Sequence, residues 1–224
     1  MNNIQTSIMQ SIIAYRYNNN ITDCFSVGVM VSGGVDSSVL LHAIHSIHEV
    51  VNVKPIMLYV DFTDFASHKN TNDLIYDYAK KYKLELIKIP SNIENMTIGI
   101  KECARIEMKS LAFLCDANLI FTGHHHDDQI ETILFRLFRG SGQNGLIGMQ
   151  EFSDYIFNHD KKTFCKPFVP FSKDMLIEYA NENNVAYVND ETNENNEIHD
   201  KDIPNIHTCF IHIIIFELMI QVWW

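Results

Sequence analysis

Short apolar runs alternate with amphipathic segments along most of the chain. Four runs are predicted to form buried strands, over residues 25–31, 55–60, 84–89 and 119–122. Helical spacing of apolar residues follows them, beginning at residue 39 and again over 73–82, 98–115 and 127–138. Continuous apolar strands separated by helices are typical of a parallel sheet covered on both faces. The pattern therefore predicts an α/β domain with helices on both faces of the sheet.

The last third of the chain gives a weaker pattern. Ser172 is a plausible N-cap of a helix that reaches about residue 183, and residues 181–196 are polar and predicted to form a loop. The end of the chain is apolar, but Glu217 and Gln221 interrupt it, and it is shorter than the roughly 20 residues that a bilayer span needs. A packed helix or strand, a membrane contact and a non-native end remain open for this tail.

A glycine-containing loop, Ser32-Gly-Gly-Val-Asp-Ser-Ser38, lies between the first strand and the first helix. Glycine lets the backbone turn sharply and approach an anion, and a helix start directs free N–H groups and a positive dipole end at it. The loop has no lysine, so it is not a Walker motif. A phosphate would be repelled by Asp36 unless a cation such as Mg²⁺ lay between them. The predicted nucleotide-binding residues are Ser32, Gly33, Gly34, Val35, Asp36, Ser37 and Ser38, with Asp36 as the metal ligand; an ordinary strand–helix turn is the alternative.

A second motif, Thr122-Gly-His-His-His-Asp-Asp-Gln-Ile-Glu-Thr132, begins where the fourth strand ends. Parallel sheets bind their ligands at such carboxyl ends. Asp128 and Glu131 are three residues apart, so both lie on one helix face and can hold a metal or an amino group. The three adjacent histidines diverge on a helix or turn, which argues against a zinc site.

The first loop resembles the signature of the PP-loop ATP pyrophosphatases, which cleave ATP to AMP and pyrophosphate. Within that superfamily, the stretch from Gly123 to Met149 resembles tRNA(Ile)-lysidine synthases, which share a His-His-x-Asp-Asp-x-x-Glu-Thr core followed by Arg-Gly-Ser-Gly and Gly-Leu-x-Gly-Met. Lys166-Pro-Phe and Asp190-Glu-Thr-Asn193 resemble further segments of the same family. The resemblance covers about residues 26–193.

This resemblance implies an adenine nucleotide alpha hydrolase-like, Rossmann-like fold and an ATP-dependent ligase. Such an enzyme adenylates the C2 carbonyl of the wobble cytidine of an isoleucine tRNA, after which L-lysine attacks C2 and AMP leaves. The loop from Ser32 to Ser38 would bind ATP, and Asp36 would serve Mg²⁺. Asp128 and Glu131 would bind the lysine ammonium or orient the base. Arg105, in a Cys103-Ala-Arg105 string that resembles the family's Ala-Arg, would face the phosphates or the adenylate.

Charge and cysteine content limit the alternatives. The net charge of −11 and a pI near 5.4 argue against a broad basic surface for RNA. The five cysteines form no Cys-x-x-Cys pair, which makes the iron–sulfur thiolation relatives less favoured and predicts free thiols in a reducing cytoplasm. The N-terminus lacks a secretion-signal layout, and no membrane association is expected.

Two segments depart from the lysidine synthase pattern. Asp61-Phe-Thr-Asp-Phe65 replaces an Asp/Asn-His-Gly-Leu-Arg string, and Asp200-Lys-Asp-Ile-Pro204 replaces Arg-Asn-x-Ile-Arg. We therefore expect an N-terminal helix over 1–24, a PP-loop domain over 25–193 and an atypical tail over 194–224, which a truncated or frameshifted gene would explain. Another PP-loop adenylating enzyme and a degenerate ATP-binding module without activity remain as alternatives.

Overall fold

The computed structural model describes residues 2–61, 69–91, 100–140 and 147–188, with only the backbone described for residues 69 and 100–105. Twelve helices and strands occur in these ranges. In chain order they are α1 (Asn3–Asn18), β1 (Phe25–Val31), α2 (Val35–Ile47), β2 (Val53–Asp61), α3 (Lys69–Tyr82), β3 (Glu85–Pro90), α4 (Ile100–Phe113), β4 (Leu119–Phe121), α5 (His126–Phe138), β5 (Phe152–Phe157), β6 (Asp160–Cys165) and α6 (Lys173–Glu182).

The strands form one sheet in the order β3-β2-β1-β4-β6-β5. All neighbouring pairs are parallel except β5 with β6. The four strands predicted from apolar runs are present, and Ser172 caps α6 by accepting from the Met175 N–H. The predicted α/β class with a parallel sheet is confirmed, with one antiparallel strand at its edge.

Successive side chains along the strands point to opposite faces of the sheet and belong to two separate hydrophobic cores. Met57 and Tyr59 of β2 pack with α1, α2, α3 and α6, whereas Leu58 and Val60 pack with Leu111 and its neighbours on α4. This two-sided burial explains why the central strands are continuously apolar. Helices therefore cover both faces, as the sequence pattern predicts.

Helix α1 is an integral part of the first core. Its side chains Ile4, Ile8 and Ile12 are buried at helical spacing, and Asn2 begins the helix with a reciprocal capping box to Gln5. The helix and the sheet share this core. The predicted domain boundary at residue 24 stays a prediction.

The β5–β6 hairpin was not predicted. Its two turn residues, Asn158 and His159, both have positive φ, at 48° and 67°. Two-residue hairpin turns of type I′ need positive φ at both turn residues, and the sequence Asn-Gly usually marks them. Here His159 takes the place of the glycine, and β5 is a half-exposed edge strand, so neither the turn nor the apolar pattern marks the hairpin.

Several predictions lie outside the described residues. These are the departing segment after Asp61, the glycine-rich stretch 141–146, the Asp190–Asn193 string and the apolar tail. Among the helices that are described, none is long and apolar enough to cross a membrane.

Candidate active site

A cavity of about 310 Å³ lies at the carboxyl ends of β1 and β4. Strand order reverses between these two strands, since β2 follows β1 on one side and β4 lies on the other. Open α/β sheets bind ligands at such a switch point. Both sequence motifs contribute polar side chains to its lining, which are Ser32, Asp36 and Ser37 from the first and Thr122, His124 and Asp128 from the second.

The first loop has the backbone geometry of an anion-binding turn. Gly33 has φ +84°, and a Cβ there would lie 2.7 Å from Thr71 Cγ2. Gly34 is the N-cap of α2 and has no side chain to bond the first N–H groups, so these groups are left to a ligand. The Val188 N–H donates to the Gly33 carbonyl at 2.9 Å and holds the loop from the α6 side.

The Ser37 hydroxyl is used inside the loop. It accepts from the Ser32 N–H at 3.0 Å and donates to the Gly34 carbonyl at 3.1 Å. The Ser32 hydroxyl lies 3.1 Å from it. Ser37 therefore stabilises the shape of the loop, and its predicted role in nucleotide binding stays a prediction.

Gly123 brings the two motifs into direct contact. A Cβ at this position would lie 3.1 Å from the Asp36 carbonyl carbon and 3.2 Å from the Ser37 nitrogen. These are backbone atoms at the start of α2, which cannot move aside as a flexible side chain can. Glycine thus lets the second motif pack closely against the first.

The Asp36 carboxylate is positioned to hold a cation. Its Oδ1 atom is buried and has no hydrogen-bond partner among the described residues, while Oδ2 lies 3.7 Å from His125 Nε2. A buried carboxylate oxygen without a donor is costly unless a proton or cation neutralises it. The chemistry of this oxygen, in the first turn of a helix that favours phosphate, fits Mg²⁺ between Asp36 and phosphate oxygens.

His125 connects Asp36 with the second helix. The residue is only 6% exposed and is the N-cap of α5, where its Nδ1 accepts from the Asp127 N–H at 3.2 Å. In return, Asp128 Oδ2 accepts from the His125 N–H at 2.8 Å. The ring's Nε2 lies 3.7 Å from both Asp36 Oδ2 and Asp128 Oδ2. The Asp36 carboxylate, more than Asp128 and Asp127, raises the pKa of His125 against the opposing effect of burial.

His124 also lines the cavity, where burial favours its neutral form. Burial lowers its pKa, more than the nearby Asp128 raises it. Its Nδ1 lies 2.9 Å from the Thr122 hydroxyl. Sequence reasoning assigned no site role to His124 or His125, although the paired histidines of the motif were the signal that could have found them.

The other predicted site residues are placed differently. Asp128 lines the cavity, whereas Glu131 is exposed one turn further along α5 and does not line it. Arg105 lies in α4, and its side chain is outside the described part of the structure. The structure thus brings Asp36 and Asp128 together and leaves the roles of Glu131 and Arg105 as predictions.

Helix α5 holds the segment that follows residues 141–146. Gln129 pairs with both backbone groups of Met149, accepting from its N–H and donating to its carbonyl. Arg136 donates to the Gly148 carbonyl at 2.8 Å. Arg139 lies over the Phe135 ring, with its guanidinium carbon 4.0 Å from the ring centroid. The Gly148-Met149 end of the second motif is therefore fixed by α5 itself.

These features define a nucleotide-binding α/β domain with an anion-binding loop at its switch point. A family model described as a PP-loop domain matches residues 5–203, which is most of the chain. The chain therefore belongs to the PP-loop family, and membership implies that it binds ATP.

Curated relatives confirm the resemblance to tRNA(Ile)-lysidine synthases. The chain is 33% identical to the one from Wigglesworthia glossinidia brevipalpis, over 73% of this chain and 43% of the relative. It is 29% identical to that of Thermotoga maritima, over 75% and 40%, and 31% identical to that of Chlorobaculum tepidum, over 84% and 58%. The chain thus spans about two fifths of the length of the first two relatives.

A solved structure shares the fold at much lower sequence identity. The U34-tRNA thiolase NcsA from Methanococcus maripaludis superposes with a TM-score of 0.62 and 16% identity, covering 82% of this chain and 66% of that one. This likeness supports the sheet topology and helix arrangement alone.

Proposed function

We propose that this chain is the PP-loop domain of a tRNA(Ile)-lysidine synthase, acting on an isoleucine tRNA with a wobble cytidine and on L-lysine in the cytoplasm. The C2 carbonyl oxygen of cytidine attacks the α-phosphorus of ATP, and pyrophosphate leaves. The lysine ε-amine then attacks C2 and AMP leaves. The observation that carries the proposal is the cavity in which the PP-loop and the His-His-x-Asp-Asp motif face each other.

ATP is proposed to bind with its phosphates at the start of α2. The loop from Ser32 to Ser38 supplies backbone N–H groups there, and the helix dipole favours the negative charge. Asp36 would hold Mg²⁺ through the carboxylate oxygen that lacks a partner among the described residues. When bound, the metal neutralises charge that develops on the departing pyrophosphate.

Asp128 is proposed to bind the lysine side chain at the α5 side of the cavity, close to Asp36. A carboxylate attracts the ammonium group before it reacts, and Asp128 is already fixed by its bond to the His125 N–H. Glu131 lies on the same helix, one turn away, and is proposed to assist in binding lysine or orienting the base. Arg105 on α4 is proposed to face the phosphates or the adenylate.

The proposal can be tested by measuring whether pyrophosphate release from ATP depends on both lysine and isoleucine tRNA. Purified protein with ATP and Mg²⁺ should release pyrophosphate at a rate that rises when lysine and unmodified isoleucine tRNA are both present. We expect Asp36→Asn to lower that rate by about 100-fold, since metal charge stabilisation is worth several kcal/mol. The thermal unfolding midpoint of the variant, measured alongside, shows whether the lower rate comes from the lost carboxylate or from lost structure.

The matched control is Asp174→Asn on the exposed first turn of α6, away from the cavity. It should leave the rate unchanged. Bound ATP with no pyrophosphate release would instead favour a degenerate ATP-binding module. The replacement of the family's two arginines at residues 200–204 also favours that alternative. Release without any dependence on lysine and tRNA would favour another PP-loop adenylating enzyme.

A further inference from the structure

His125 occupies the contact point between the two motifs. Its ring is buried, and one atom, Nε2, lies 3.7 Å from both Asp36 Oδ2 and Asp128 Oδ2. These distances are longer than hydrogen bonds but within ion-pair range. One imidazole edge therefore faces the carboxylate proposed for the metal and the carboxylate proposed for the amine.

The N-cap contact fixes which ring nitrogen carries the proton. Nδ1 accepts from the Asp127 N–H at 3.2 Å, so in the neutral ring Nδ1 is the unprotonated nitrogen and Nε2 bears the hydrogen. The Nε2–H donor thus points into the space between Asp36 and Asp128. His125 therefore caps α5 through Nδ1 and faces the carboxylates of Asp36 and Asp128 through Nε2.

Two carboxylates at one site repel each other, and a donor between them reduces this repulsion. With Oδ2 of Asp36 facing His125, Oδ1 is the oxygen left for a cation. On the other side, Asp128 is tied to the His125 N–H, which fixes its position relative to the same ring. Gly123, which has no side chain, lets the backbone of the second motif lie close to that of Asp36 and Ser37.

We propose that His125 is a positioning residue that holds Asp36 for the metal–ATP complex and Asp128 for the amine substrate, and so sets the relation between the two half-sites. The inference rests on the proposed function for its substrates. It does not require that the chain complete the reaction, because positioning of Asp36 affects binding of metal and ATP by itself.

Two substitutions separate the roles of the two ring nitrogens. His125→Asn keeps an acceptor near the position of Nδ1 and is a favoured N-cap, but it removes the donor at Nε2. His125→Gln extends an amide to about the position of Nε2, but it is a poor N-cap. The matched control is His126→Asn, since the neighbouring His126 side chain is 51% exposed and does not line the cavity.

The measurements are the affinity for Mn²⁺ in the presence of ATP, by electron paramagnetic resonance, and the thermal unfolding midpoint of the metal-free protein. We expect His125→Asn to weaken Mn²⁺ binding by about 10-fold or more, as loss of an outer partner of a metal ligand does, while the midpoint stays near that of wild type. His125→Gln should bind Mn²⁺ within about 3-fold of wild type but unfold about 2–4 °C lower. His126→Asn should match the wild type in both.

A capping role alone predicts the reverse order, with metal affinity following stability. That result would overturn the proposal, as would equal weakening in both variants, unchanged Mn²⁺ affinity in His125→Asn, or no Mn²⁺ binding by the wild-type chain. If the expected order is found but no lysidine is ever formed, the positioning role stands and the proposed function fails. If lysidine is formed but the order is reversed, the function stands and the positioning role fails.

Discussion

At the residue scale, two histidines on α2 make stability depend on pH. His42 Nδ1 lies 2.9 Å from the Tyr179 hydroxyl, and the His45 ring stacks on Tyr82 at 4.2 Å. Burial lowers the pKa of both rings, and Lys81 and His45 lower that of His42 further. His48 also lowers the pKa of His45, Glu49 raises it, and Lys81 has the smallest, lowering effect.

A pKa below the unfolded value of about 6.5 means that folding disfavours the protonated ring. The stabilisation is therefore present above pH 6.5 and is lost as the pH falls through the folded pKa. We predict that the unfolding midpoint drops between pH 7 and pH 5, and that His42→Asn reduces the drop while keeping an atom near the Tyr179 hydroxyl. Thermal denaturation across this range measures it, with exposed His126→Asn as control. An equal or larger drop in His42→Asn would contradict the assignment.

Sequence reasoning reached the two carboxylates of the site but not the residue between them. Asp36 and Asp128 each belong to a motif whose chemistry is local, so their types and spacing predict a role. His125 has its role because the start of α2 and the start of α5 meet, and that contact depends on Gly123 and on strand order. The spacing of residues within one motif does not predict the distance between residues of two different elements.

At the element scale, the two adjacent glycines in the turn before α2 have different conformations and surroundings. Gly33 has φ +84° and lies against Thr71, whereas Gly34 has φ −70° and a Cβ there would meet only the Ser32 hydroxyl, at 3.8 Å. We predict that Gly33→Ala lowers the free energy of unfolding by about 1–2 kcal/mol, and Gly34→Ala by only a few tenths. Chemical denaturation measures both. Similar losses in the two variants would show that the left-handed turn is not what requires Gly33.

The β5–β6 hairpin offers a test that is independent of function. His159 has φ +67° in the turn, a conformation that costs a non-glycine residue about 1–2 kcal/mol. Glycine removes that strain but loses about 0.4–1 kcal/mol through the freer unfolded chain. We predict that His159→Gly raises the free energy of unfolding by about 0.5–1 kcal/mol. Its neighbour Asn158 already tolerates positive φ, so Asn158→Gly should gain less, and a loss in His159→Gly would argue against this turn.

The strands β1, β2 and β4 could be predicted because they are buried on both faces of the sheet. β1 and β2 are recognised because nearly every residue in them is apolar. Helix α2 begins at Val35, earlier than its apolar spacing suggests, because the polar residues Asp36 and Ser37 occupy its first turn. The edge strand β5 was missed because its exposed residues break any simple alternation.

At the scale of the whole molecule, the chain combines an acidic composition with relatives named for a tRNA substrate. It carries a net charge of −11 and spans about two fifths of the length of the first curated relatives. Phosphate contacts dominate RNA affinity, so the proposed function requires a local surface for tRNA on this acidic chain. The domain boundaries at residues 24 and 193 and the nature of the tail stay predictions, which limited proteolysis of the purified protein would examine.

The measurement that tests the account most directly is the formation of lysidine itself. Protein, ATP, Mg²⁺, isotope-labelled lysine and an unmodified isoleucine tRNA with a wobble cytidine are incubated, and the digested RNA is analysed by mass spectrometry. Labelled lysidine should form at the wobble position, with AMP and pyrophosphate in equal amounts, and none of these products should rise above background with Asp36→Asn. Unmodified cytidine in the presence of wild-type protein that demonstrably binds ATP would contradict it.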